Sequence, residues 1–129
     1  MNNSATMQTP ETTEFAEWRR FAQEARTHLL NREFELLDRM ADELRTTKAK
    51  FPGGAWKLHK FYWGLEGPAD GDKASDEEWL RHIAILREWR EANPASITAI
   101  VGLADALDSY GWKARGSGYA GTVSREGWR

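Results

Sequence analysis

The sequence contains no cysteine, which excludes disulfide bonds, thiolate nucleophiles and zinc sites with cysteine ligands. It also lacks an apolar run approaching the roughly 20 residues of a membrane-spanning helix. Residues 1–12 carry no apolar core of the kind found in signal peptides. We therefore expect a cytoplasmic protein with no membrane partner.

The chain also carries little net charge. Its formal charge is −2 at pH 7, so there is no basic field to attract the phosphates of a nucleic acid, and we expect no nucleic-acid partner. Tryptophan, in contrast, is abundant, with seven residues. Because each indole buries a large apolar area and needs a partner for its N–H, these residues predict a substantial core or an adhesive surface.

Alternating apolar and polar runs are missing, so the sequence predicts no strand. Apolar residues at helical spacing predict instead five helices, over about residues 13–31, 33–50, 55–65, 76–92 and from Pro94 onward. The first helix has two plausible starts, one with Pro10 as first helical residue and one with Thr13 as cap. Ser75 and Glu78 form a capping box before the fourth helix, which carries the inward-facing residues Trp79, Ile83, Leu86 and Trp89. The apolar residues of the fifth helix are Ile97, Ile100, Val101, Ala104, Leu107 and Tyr110.

A glycine-rich segment follows the fifth helix. Gly116, Gly118 and Gly121 match the G-x-G-x-x-G spacing, but a dinucleotide site needs a strand before that motif. We interpret Gly116 as the residue that ends the fifth helix. Residues 124–129 then predict the first turn of a truncated sixth helix.

The same segment has a second interpretation as a ligand site. If Gly116 and Gly118 adopt positive φ, their backbone N–H groups converge on one point, where an anion or a carboxylate binds. The residues that then form the site are Trp112, Lys113, Arg115, Gly116, Ser117, Gly118 and Tyr119.

Aromatic residues are also concentrated in the third helix, where Lys57, His59 and Lys60 alternate with Trp56, Phe61, Tyr62 and Trp63. These aromatics either fill the core or anchor a peptide in a groove. We expect Trp63 to be the exposed member.

Catalytic and metal-binding patterns are missing. Glu24/His28 and Glu78/His82 share helix faces, which predicts surface pairs, since the di-metal bundle motif is Glu-x-x-His. Ser117 does not lie in a G-x-S-x-G elbow. We expect no catalytic residues, no metal and no cofactor, and therefore a binding protein rather than an enzyme.

Two strings, residues 51–58 and 112–120, together resemble a bacterial domain of unknown function with tetratricopeptide-like helical pairs. The resemblance covers about residues 34–128 and implies a fold but no activity. In that family an acidic residue is common where Gly121 stands, and the helix that opens at residues 126–129 runs on. The resemblance therefore implies a domain that is incomplete at its C-terminus.

These observations predict an all-α, tetratricopeptide-like bundle of about five antiparallel helices with a truncated sixth, over residues 13–129 after a disordered leader of residues 1–12. The expected function is a non-enzymatic helical-repeat module that binds a protein or peptide partner, with homo-oligomerisation through an exposed C-terminal face. The alternative is a small-molecule or anion-binding domain, or the recognition part of an enzyme, that uses residues 112–119.

Overall fold

The computed structural model describes the backbone from Pro10 to Glu126 and the side chains from Thr13 to Arg115. Five helices form this range: α1 (Pro10–Leu30), α2 (Phe34–Thr47), α3 (Lys57–Leu65), α4 (Asp76–Ala92) and α5 (Ile97–Glu126), with a 3-10 turn at Gly71–Lys73. The all-α class is confirmed, because the described range contains no strand and a single isolated bridge joins Lys50 to Trp56. The structure divides into two compact units, one ending at Gly64 and the other beginning at Leu65.

In the first unit, α1 begins at Pro10, the earlier of its two predicted starts. Residues 1–9 lie outside the described residues, so the expected leader stays a prediction. A short turn joins α1 to α2, which pack against each other, and Arg32 within it has a positive φ of 59°. The buried apolar residues of this unit are Ala22, Ala25, Leu29, Leu37, Ala41, Phe51 and Phe61.

Helices α3 and α1 of the first unit approach each other closely at Gly64. A Cβ atom at Gly64 would fall on the backbone carbonyl oxygen of Ala22, far inside any real contact distance. Glycine is therefore required at this position by the distance between the two backbones.

In the second unit, the predicted capping box begins α4. The N–H of Glu78 donates to Ser75 Oγ (3.1 Å), and the N–H of Ser75 donates to Glu78 Oε1 (3.2 Å). All four residues expected to face inward, Trp79, Ile83, Leu86 and Trp89, are buried. The indole N–H of Trp79 donates to the carbonyl of Gly71 (3.0 Å), which satisfies the buried donor.

The helix that packs on α4 does so through small residues. The buried residues just before α5 and in its first three turns are Ser96, Thr98, Ala99, Gly102 and Ala106. Three of its larger apolar residues point outward, with exposed fractions of 65% for Ile97, 45% for Ile100 and 42% for Leu107. Because α4 contributes tryptophan and branched side chains, small residues opposite let the two helices approach.

The expectation that Gly116 ends the fifth helix is wrong. The α5 backbone continues through Gly116 and Gly118 to Glu126, so the described residues contain no separate, truncated sixth helix. No proline interrupts this stretch, and each glycine costs a helix only about 1 kcal/mol relative to alanine. None of the helices in the described range, α5 included, is both long and apolar enough to cross a membrane.

Candidate functional site

The predicted site residues of α5 whose side chains are described, Trp112, Lys113 and Arg115, have different neighbours. The exposed Trp112 lies under the Arg115 guanidinium, 4.9 Å from the ring centroid. Lys113 is largely buried, and its Nζ donates to Asp76 Oδ1 (3.4 Å). Helix positions two apart do not face each other, so Lys113 and Arg115 lie on different sides of α5.

The predicted glycine site required positive φ at Gly116 and Gly118, whereas the backbone there is helical. Gly116, Ser117, Gly118 and Tyr119 have helical backbone, and helical N–H groups donate along the axis to preceding carbonyls instead of converging on an anion. The side chains of these four residues lie outside the described residues.

Lys113 belongs instead to a cluster at the start of α4. Tyr110 stacks on Trp79 with ring centroids 5.7 Å apart. Burial raises the pKa of Tyr110, and the charge of Asp76 and a hydrogen bond to it raise that pKa further. Asp76 is therefore shared by a lysine and a tyrosine of α5, an arrangement that fixes α5 against α4.

The predicted surface pairs of the histidines are wrong. His82 is buried, and its Nε2 lies 2.7 Å from the carbonyl oxygen of Leu65. The Nδ1 of His28 lies 2.6 Å from Glu33 Oε1, so its partner is not Glu24. Within the part of the chain that the structure describes, no three His, Asp or Glu side chains are grouped closely enough to hold a metal ion.

Trp63 is half-buried in the first unit, whereas we expected it to be exposed. The Lys60 Nζ lies 3.9 Å from the ring centroid of Trp18 and 5.5 Å from that of Trp63. Trp56 is the more exposed tryptophan of this region, with Lys50 Nζ 4.8 Å from its ring. Phe61, in contrast, is fully buried, so these aromatics divide between core and surface.

The first unit also contains a groove, of about 320 Å³, between α1 and the loop that joins α2 to α3. We call it the charged groove. Its lining residues are Glu17, Arg20, Phe21, Glu24, Lys50, Phe51, Pro52 and Lys57. A second depression, of about 440 Å³, is lined within the described residues by α1 alone and therefore has no opposing wall there.

One wall of the charged groove is a tightly closed loop. The N–H of Phe51 donates to the carbonyl of Ala55 (2.8 Å), and the N–H of Lys57 donates to that of Ala49 (3.0 Å). Gly54 turns the chain with a φ of 101°, a conformation that favours glycine. These bonds place Lys50 and Lys57 close together at the two ends of the loop.

The loop is also attached to α1. The N–H of Gly53 is shared between the two carboxylate oxygens of Glu14, at 2.9 Å and 3.1 Å. A bond from a backbone donor to a charged acceptor is stronger than a neutral one. The lysine-bearing wall is thus fixed to the helix that forms the opposite wall.

Phe21 and Phe51 form the floor of the groove, edge to face with ring centroids 5.6 Å apart. The Nζ of Lys57 lies 5.3 Å from the Phe51 centroid and 6.0 Å from the Phe21 centroid. Lysine over aromatic faces at such distances is held by the ring quadrupole, so the cation stays directed over the floor.

The opposite wall consists of Glu17, Arg20 and Glu24, which share one face of α1 at spacings of three and four residues. Neither these three side chains nor Lys50 and Lys57 form an ion pair with any residue that the structure describes. The groove therefore presents charges of both signs above an aromatic floor. Such a surface can bind a group that carries both a carboxylate and a cation.

Sequence reasoning identified Lys57 as a lysine among aromatics but missed the α1 wall. The available signal was the spacing of Glu17, Arg20 and Glu24, which places charges beside Phe21 on one helix face. That pattern is also typical of a solvated helix surface. Only the position of the loop distinguishes a groove wall from such a surface.

No protein-family model matches the chain, and no curated protein or solved structure is significantly similar to it. The resemblance to a bacterial tetratricopeptide-like domain stays a prediction.

Proposed function

We propose that this chain is a non-enzymatic interaction module that binds a short peptide segment of a partner protein in the charged groove. The observation that carries the proposal is the set of five charged side chains around the Phe21–Phe51 floor, none of which forms an ion pair with a residue that the structure describes. Charged side chains of a folded protein usually face water or pair with one another. Here they line a concave surface whose floor is apolar.

The arrangement of the charges specifies the chemistry of the peptide. A carboxylate of the peptide binds beside Lys50 and Lys57, and a lysine or arginine of the peptide binds beside Glu17 and Glu24. An apolar side chain between them covers the phenylalanine floor. The groove volume of about 320 Å³ is at the small end of the range of ligand sites, which matches a few side chains.

The walls are held in place before a peptide binds. The loop bonds, the Glu14 contact and the lysine–aromatic contacts fix the positions of the groove residues. Binding to such a surface loses less conformational entropy than binding to mobile side chains. This supports recognition of a defined sequence pattern.

A tetratricopeptide-like repeat arrangement is part of the proposal. It is supported by two helical pairs, α1 with α2 and α4 with α5, each joined by a short turn. In repeat proteins, helical pairs of this kind present surfaces to peptide partners. The proposed repeat unit is thus one helical pair.

The test is fluorescence anisotropy with labelled synthetic peptides in which one acidic, one leucine and one basic residue are arranged in every order. The double variant Lys50→Glu with Lys57→Glu should weaken the best peptide at least about tenfold, or about 1.4 kcal/mol. The matched control, Lys48→Glu with Lys73→Glu, makes the same change of net charge at exposed lysines outside the groove and should bind as the parent does.

Two results would contradict the proposal. One is that no peptide order binds the parent protein more tightly than the Lys50/Lys57 double variant. The other is that both double variants lose the same affinity, which would indicate a long-range field rather than a groove. Circular dichroism melting of each variant establishes that it is folded.

A further inference from the structure

The outer face of α5 carries a regular row of apolar and small residues. Their spacing alternates between three and four residues, which is the a/d pattern of a helix that packs along another helix. We call this row the outer seam, and it consists of Ile97, Ile100, Ala104, Leu107, Gly111 and Ala114. Its three large members have exposed fractions of 65%, 45% and 42%.

The outer seam lies on the side of α5 opposite to the face that packs in the second unit. At 100° per residue, the buried residues Ala99, Gly102 and Ala106 centre about half a turn from Ile100 and Ala104. The apolar residues of the seam are thus additional to those that α5 uses in its own unit.

The sizes of the seam residues specify how a second helix would fit. If two copies of α5 run antiparallel, Ile97 lies opposite Ala114, Ile100 opposite Gly111, and Leu107 opposite Ala104. Every large side chain then faces a small one, so the layers interdigitate. In a parallel pair, Gly111 would face Gly111 and leave a void, while Ile97 would face Ile97.

From this complementarity we propose that two copies of the chain associate through their outer seams, with the two α5 helices antiparallel. Gly111 supports this fit, because a Cβ atom added there meets no heavy atom within 4 Å and space for the partner's Ile100 is open. We take the partner to be a second copy of the chain, because the outer seam is complementary to an antiparallel copy of itself.

The area of the seam determines the strength of the association. Residues 97–114 span roughly 25 Å of helix, and a helix is about 10 Å wide, so the seam gives a strip of roughly 250 Å². Stable dimers bury about 800 Å² on each partner. The dimer is therefore weak and forms at high protein concentration.

Charge repulsion also weakens the dimer. Asp108 flanks the seam close to the centre of the antiparallel pair, so the two copies bring carboxylates near each other. Their repulsion is screened by salt. Association therefore increases with ionic strength, whereas peptide binding in the charged groove decreases.

The experiment uses engineered cysteines, which are unambiguous because the natural chain has none. An equimolar mixture of Ile100→Cys and Gly111→Cys proteins should form a disulfide-linked heterodimer under mild oxidation, while each variant alone should stay uncrosslinked. A parallel pair would instead crosslink Ile100→Cys with itself, and that result would overturn the proposal. Leu80→Cys, at an exposed leucine of α4, reports random collision; equal crosslinking by this control would also overturn the proposal.

Sedimentation velocity tests the association without cysteine. The parent protein should sediment faster as its concentration rises from about 10 µM to about 500 µM, a range in which weak dimers form. Leu107→Asp should weaken dimerisation at least about tenfold, and Leu80→Asp should leave it unchanged. A parent protein that stays monomeric over the whole range would overturn the proposal, whatever its peptide binding.

Discussion

The two units bury their apolar residues in different ways. In the first unit, side chains of α1, α2, α3 and the lysine-bearing loop fill the core together, and one glycine, Gly64, allows two backbones to meet. In the second unit, α4 supplies the large side chains and α5 supplies a small face. The difference shows that the side of a helix facing inward depends on its neighbour as well as on its own hydrophobicity.

Because the two units pack differently, they expose different kinds of surface to a partner. The first unit leaves charges and aromatics around a groove, while the second leaves the outer seam of α5. The charged side chains of the groove and the residues of the outer seam are not buried in the core of their unit, so they remain available to a partner. Substitutions that enlarge small residues at the two kinds of contact test this comparison directly.

The largest effect is expected at Gly64. Gly64→Ala places a methyl group against the Ala22 carbonyl, and since backbone atoms cannot rotate away, α3 and α1 must separate. We expect a loss of about 3 kcal/mol in the free energy of unfolding, measured by urea denaturation. The control is Gly111→Ala, at a helical glycine with open space, which should gain about 0.5–1 kcal/mol. Equal effects of the two would refute the close approach.

An intermediate effect is expected at the small face of α5. Ala106 is fully buried, whereas Ala104 is exposed on the outer seam of the same helix. Ala106→Leu should cost about 2 kcal/mol because it overpacks the contact with α4, while Ala104→Leu should change stability by less than about 0.5 kcal/mol. Thermal unfolding at low protein concentration measures the change in stability of each variant. A larger loss from the Ala104 substitution would mean that the faces of α5 are assigned the wrong way round.

The smallest effect concerns the charge on Asp105. Burial raises the pKa of Asp105, and the nearby Asp108 carboxylate raises it further. A carboxyl group whose pKa is raised on folding stabilises the fold fully at acidic pH, below its unfolded pKa, and that contribution is lost as the pH rises through the folded pKa.

Asp105→Asn should therefore be slightly more stable than the parent at pH 7, by at most about 0.5 kcal/mol. The advantage should disappear below about pH 4, where the parent carboxyl group is protonated. Urea denaturation at a series of pH values measures it. Glu91→Gln removes the same charge at an exposed position of α4 and should show no such pH-dependent gain.

The helices themselves were predictable from local signals. The capping box at Ser75 and Glu78, the break after α2 and the inward residues of α4 each follow from a pattern within a few residues. The inward face of α5 was not predictable in this way, because Ile97, Ile100 and Leu107, which give much of its apolar periodicity, are exposed. His82 was missed for the same reason, since its partner is a backbone carbonyl 17 residues away.

Only one wall of the candidate site could be predicted from the sequence. The alternation of lysines and aromatics in residues 56–63 allowed either core packing or a binding surface, and it includes Lys57. The opposite wall, on α1, depends on a contact that no local pattern encodes. The glycine string misled because glycine commonly ends a helix, whereas here the α5 backbone continues through Gly116 and Gly118.

The contact between Glu14 and Gly53 connects the charged groove to the first turns of α1, across 39 residues of sequence. Helix ends fray more readily than helix centres. When the start of α1 unwinds, the Gly53 amide loses its acceptor and the lysine-bearing loop loses its attachment. Amide hydrogen exchange at Gly53 therefore follows the fraying of α1, and a ligand held between the walls slows both. Through this contact, the start of α1 and the lysine-bearing loop become ordered together.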